Sequence, residues 1–131
     1  MTQNFFFDYQ SDEDGRLKSL FWCDSQSRQD YKDFGDVLVF DSTYKMNRYG
    51  MSFIPFVGLN NHWKTTVFGC AIVSDETKRT YIWVLETFLK AMYQKKPKSV
   101  ITDADGSMNR AIKKVFTDVW HRICCWHIEK I

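Results

Sequence analysis

The 131-residue sequence lacks most of the features that announce a function outright. No apolar run approaches the roughly 18 to 20 residues needed to cross a bilayer, so a membrane-spanning helix is excluded. The N-terminus, MTQNFFFDYQSDEDG, has no basic segment followed by an apolar core of useful length, and no secretory leader is expected. Two prolines and six glycines leave no Pro/Gly-rich linker, and neither an internal repeat nor a low-complexity tract is present. There is no glycine-rich loop to cradle a phosphate and no nucleophile elbow. The four cysteines (Cys23, Cys70 and the adjacent Cys124 and Cys125) show no framework spacing, which suits a reducing, intracellular compartment. A net charge of +2 neither requires nor excludes a nucleic-acid partner.

What is present is a well-packed globular composition, 44% hydrophobic and 17% aromatic, in a chain long enough for one core. Residues 5–10 and 17–23 read as aromatic-rich strands around SDEDG, whose Asp-Gly step is a turn signal. A short helix follows in DSQSRQDYKDFG, capped by Asp24 or Ser25 and stopped by Gly35. Strands over 37–44, 52–59 and 65–73 have short connections, which predicts an antiparallel meander. A helix over about 79–93 keeps Tyr81, Val84, Leu85, Phe88, Leu89 and Met92 at helical spacing. SVIT is a fourth strand, residues 106–116 a second long helix, and VWHRICCW a fifth strand. The order βββαβαβ predicts a ribonuclease H-like α/β core with a mixed sheet, by analogy at the level of fold. Residues 1–35, the hairpin and short helix, then lead into a core over 36–131.

Two apolar runs end on carboxylates. VLVF runs straight into Asp41, and SVIT into Asp103. In the predicted fold the first and fourth strands are neighbours, which would bring these carboxylates together. Such a pair suits Mg²⁺, which takes oxygen ligands and keeps several waters, and paired metals support phosphodiester chemistry. Asp105 sits close enough to support such a site. A second account needs no chemistry: Asp41 starts a turn, and Asp103 or Asp105 caps the next helix in competition with Ser107. Spacing alone leaves both open.

His121, Cys124, Cys125 and His127 fall within seven residues and are of the types that ligate Zn²⁺. Strand alternation, however, sends Cys124 and Cys125 to opposite faces, and a buried strand with a histidine at its exit explains the same residues. Glu86 could supply a third acid but is more simply solvated. Glu76 fits a helix N-terminus, where negative charge is favoured. Arg110, Lys113 and Lys114 form a basic helix side that could meet phosphate or merely water. Trp63, beside His62, could stack on a base or decorate a hairpin tip.

Taken in order, FWCDSQSRQDYKDFGDVLVFDSTYKMNRYGMSFIPFVGLNNHWKTTVFGCAIVSDE, PKSVITDADGSMNRAIKKVF and HRICCWHIEK closely resemble the Mutator-like (MULE) transposase domain. The resemblance is closest to the version in the plant far-red impaired response family of transposase-derived transcription regulators, and covers about residue 20 onward. It implies a ribonuclease H-like core with an Asp-Asp-Glu triad, in which Asp41 matches the first acid and Asp103 the second. Cys124 and His127 match a Cys-x-x-His element, so Zn²⁺ is implied there or in regions outside this chain; Cys125 falls on a variable position. Thr117 departs from a common proline. The third acid would lie on a later helix, and Glu129 is too near His127 to be it, so the core is expected to be truncated before its last helix. The resemblance also implies a nuclear location, DNA contacted mostly through regions not present here, other family members or transcription regulators as partners, and no catalysis from an incomplete triad. A working Mutator-like transposase is the rival expectation, and a protein-interaction module using Phe5, Phe6, Phe7 and Tyr9 is a third.

Overall fold

The Asp-Gly step in SDEDG turns the chain as its composition predicts. Asp12 Oδ1 accepts from the backbone N–H groups of Asp14 and Arg16, each at 2.9 Å, and Gly15 takes the positive φ of 79° that the turn requires. The computed structural model describes residues 5–41, 45–46, 48–103 and 106–123. This turn joins β1 (Phe6–Ser11) to β2 (Leu17–Cys23) as an antiparallel hairpin. Helix α1 (Ser25–Phe34) starts on Asp24, whose Oδ1 accepts from Ser27 N–H at 2.7 Å, and stops at Gly35.

From there the chain forms β3 (Val37–Val39), β4 (Lys45–Met46), β5 (Ser52–Leu59) and β6 (Thr65–Val73). Helix α2 (Lys78–Ala91), β7 (Ser99–Thr102), α3 (Gly106–Val115) and β8 (Trp120–Ile123) follow. All the described strands lie in one mixed sheet, ordered β1-β2-β6-β5-β3-β7-β8, with β4 beside β5. The mixed α/β class matches expectation, and β5 and β6 have the predicted bounds. β2 also pairs with β6, so the hairpin extends the sheet.

One strand differs from its reading. The run 37–44 is expected to be one strand, yet β3 ends at Val39 and residues 40–41 lie outside it, while Lys45 and Met46 are again paired with β5. Val39 faces Val57 and Lys45 faces Phe53, so β3–β4 takes six steps (45 − 39) where β5 takes four (57 − 53). Pro55 lies midway along that interval on β5. A proline has no N–H to donate and is accommodated in a central strand where the ladder is already interrupted. Asp41 sits in the interruption; residues 42–44 are outside the described residues.

The helices cover one face of the sheet. Phe88 of α2 is the hub, stacked on Phe56 at 4.9 Å and edge-on to Phe21 and Tyr31 at 5.9 and 5.1 Å. Tyr31 carries α1 onto Phe68 of β6 at 5.2 Å, and its buried hydroxyl donates to the Lys95 carbonyl at 2.8 Å. Such offset and edge-to-face ring contacts add to the gain from burial itself. Met108, Ala111 and Ile112 complete the core from α3. Lys90 of α2 pairs with Asp8 of β1 at 2.7 Å, tying the outermost strand to the helical layer.

Candidate functional site

Two adjacent parallel strands build the site. β3 and β7 pair in parallel, Val37 with Ser99, Leu38 with Val100 and Val39 with Ile101, a constant offset of 62 (99 − 37). Asp41 and Asp103 keep that offset (103 − 41), each two residues past the last pair. The contact continues beyond the ladder, because Phe40 N–H donates to the Ile101 carbonyl at 3.1 Å. Strand alternation then explains the chemistry of the run. Leu38 and Phe40 are fully buried on the helical side, and Phe40 packs on Phe56 at 4.7 Å. The next position turns to the opposite side of the sheet. Asp41 nevertheless remains 5% exposed, and Asp103 is partly exposed.

The expected neighbours are sorted by the structure. The described part of helix α3 runs from Gly106 to Val115, and Ser107 lies inside it, where its Oγ accepts from Arg110 at 3.3 Å. Asp105, Cys124, Cys125 and His127 lie outside the described residues. Glu86 is exposed on α2 beside Lys90, Lys96 and Lys114. Glu76 precedes α2 and accepts from the buried Ser52 hydroxyl at 3.2 Å. The α2 N-terminus is instead organised by Thr77, which caps it, and by Asp75, whose Oδ1 accepts from Thr80 Oγ1 at 2.6 Å and Thr77 Oγ1 at 2.9 Å. Burial raises the Asp75 carboxyl, but these hydrogen bonds and the Lys18 charge outweigh it and leave the pKa below its ordinary value.

Among the described residues, no three His, Cys, Asp or Glu side chains are grouped to hold a metal ion. The two strand-end carboxylates fit a hard cation in donor type, since Mg²⁺ takes one or two carboxylates and fills the rest of its shell with water. His121, one of the residues with zinc-ligand chemistry, has its Nε2 2.7 Å from Thr102 Oγ1.

A feature not foreseen from the sequence lies on the side of β3 and β7 opposite Leu38 and Val100. Val37, Val39, Val57, Leu59 and Ile101 floor an apolar pocket of about 550 Å³, with Trp63 at its rim. Trp63 is 82% exposed at a φ of 61° in the β5–β6 turn. Alternation was the available signal, because both β3 and β7 carry apolar residues on both faces, the mark of strands built for two-sided burial.

The family model of the MULE transposase domain matches residues 37–131. FAR1-related sequence 5 of Arabidopsis thaliana is 42% identical over 127 residues, 97% of this chain and 16% of that protein. Far-red impaired response 1 of the same plant is 38% identical over 128 residues, with the same coverage of 97% and 16%. FAR1-related sequence 4, also from Arabidopsis thaliana, is 36% identical over 124 residues, 95% of this chain and 17% of that protein. The chain thus spans about a sixth of the length of these relatives.

Proposed function

The chain belongs to the MULE transposase domain family, and from that premise we propose that it is part of a domesticated Mutator-like transposase acting as a nuclear, DNA-binding transcription regulator without strand-cleaving activity of its own. The observation that carries this reading is the similarity over 97% of the chain to a protein named for an impaired far-red response. Light-responsive development is the setting that name suggests. DNA and other regulators are contacted chiefly through regions outside these 131 residues. No described helix is long and apolar enough to cross a membrane, which is consistent with a nuclear protein.

The sheet is read as the ribonuclease H-like core of a transposase, with residues 1–35 leading into it and 36–131 forming it. The parallel β3–β7 pair and the order of elements from β3 onward support this. Asp41 and Asp103 are the first two acids of the ancestral triad, and the third acid is not among these residues. Mg²⁺ at the pair would supply charge neutralisation and a polarised water. The protein's part is to hold the two carboxylates level on a rigid pair of strands. Cys124 and His127 are half of a Zn²⁺ ligand set, completed by residues elsewhere in the polypeptide.

A second reading, the catalytic core of an active transposase, is favoured by one specific observation: the two acids keep their common offset on adjacent strands. A strand-cleavage and strand-transfer assay with Mg²⁺ separates the two. The regulator reading expects no product from this polypeptide. Metal-dependent product that disappears in Asp41→Ala would establish the enzyme instead.

A further inference from the structure

Behind the acidic pair, on the helix-covered side of the sheet, lies a polar contact that neither account of the site uses. β8 pairs in parallel with β7, His121 level with Val100 and Ile123 level with Thr102. His121 therefore shares the helical face with Val100 and Thr102. Its Nε2 reaches forward to Thr102 Oγ1 at 2.7 Å. Thr102 is fully buried, and its hydroxyl also donates to the carbonyl of Asp103 at 3.0 Å.

Counting protons sets the direction of this chain. A threonine hydroxyl has a single proton, and it goes to the Asp103 carbonyl. The imidazole must then be the donor, so His121 carries its proton on Nε2. Burial and, less, the Lys113 charge hold the ring's pKa below its ordinary value and so disfavour a second proton on it. Nε2–H to Oγ1–H to carbonyl is thus a relay of two hydrogen bonds in one direction. It ends on the peptide that fixes how the chain leaves β7 at Asp103. A buried hydroxyl held at both ends also leaves the strand terminus little freedom, since an unmade buried hydrogen bond is costly.

We propose that His121 is a positioning residue for Asp103, acting through the Thr102 hydroxyl from the opposite face of the sheet. The inference rests on the reading of Asp41 and Asp103 as a cation-binding pair, and it assigns His121 to that pair. Outer partners of this kind orient ligands and are felt in metal affinity.

The test compares wild type, Thr102→Val, Thr102→Ser and His121→Ala by NMR, with Mn²⁺ as the probe. Wild type is expected to show the Nε2-protonated neutral imidazole for His121. Thr102→Val is expected to shift the Asp103 carboxyl carbon signal and weaken Mn²⁺ binding about tenfold, the low end for loss of an outer-shell partner. Thr102→Ser restores both. His121→Ala reproduces the Thr102→Val shift, and combining the two adds nothing further. A proton on Nδ1, or an Asp103 signal unmoved by Thr102→Val, overturns the proposal. If wild type binds no Mn²⁺, the cation reading fails by itself, and the positioning is judged on the metal-free Asp103 signal, which is still expected to move and be rescued.

Discussion

Asp41 and Asp103 follow two neighbouring parallel strands by the same count, each two residues past the Val39–Ile101 pair that closes the β3–β7 ladder. The relationship follows from ordinary sheet geometry. Parallel strands keep a constant offset, so residues that follow two apolar runs by the same count arrive together. What makes the first of them available is the interruption opposite Pro55, where β3 stops pairing with β5 and Asp41 leaves the ladder.

The core that holds these strands turns on Phe88, which touches Phe21, Tyr31 and Phe56. Phe88→Ala is expected to cost about 3–5 kcal/mol, the range for deleting a buried aromatic ring. Urea denaturation measures it, and a loss below about 1 kcal/mol would mean the hub has been misidentified.

Gly58 is held small by its neighbours. A Cβ there would meet the Phe68 ring at 2.6 Å and the Val37 carbonyl at 3.0 Å, one a core side chain and the other backbone of β3. Gly58→Ala is therefore expected to destabilise the fold by about 1–3 kcal/mol, as overpacking does. A change in the melting midpoint too small to measure would contradict this packing.

Asp75 gives the fold a dependence on acidity. Its carboxyl is held below its ordinary 3.8, so its contribution is fully present above that value and is lost as pH falls through the lowered folded pKa. Asp75→Asn keeps an acceptor oxygen but not the charge. The variant should be less stable than wild type at neutral pH, with the gap closing in strong acid. Denaturation curves at the two extremes decide it, and a gap that widens in acid reverses the sign.

Burial pushes the Cys23 thiol up to about 11, against the smaller lowering by Arg28. Since the thiolate is the reactive form, Cys23 should resist alkylation at neutral pH in the folded protein and react once it is unfolded. Peptide mapping after iodoacetamide treatment reads this site separately from the other cysteines. Rapid folded-state labelling of Cys23 would show that it is accessible.

Much of this was legible in the residues. Runs of strand-forming residues joined by short connections located β5 and β6, helical spacing found α2 and α3, and Asp-Gly placed the first turn. The strand through Asp41 was misjudged because an apolar run says where a strand is buried, not where its partner strand lacks a donor; only the pairing reveals that Pro55 faces the gap. The addition of the hairpin to β6 was hidden for the same reason, being a contact between residues about fifty apart in sequence. His121 was grouped with the cysteines by proximity along the chain, and its contact with Thr102 was not foreseen. Alternation within SVIT and WHRI turns both residues inward, and that was the available signal.

The central claim is that Asp41 and Asp103 together form a cation-binding pair. Titrating the protein with Mn²⁺ and recording paramagnetic broadening of its backbone amide signals tests it most directly. The account predicts early, selective loss of signals from residues 40–41 and 102–103, abolished by Asp41→Asn and by Asp103→Asn alike. Broadening that starts elsewhere, or that survives either substitution, would contradict it.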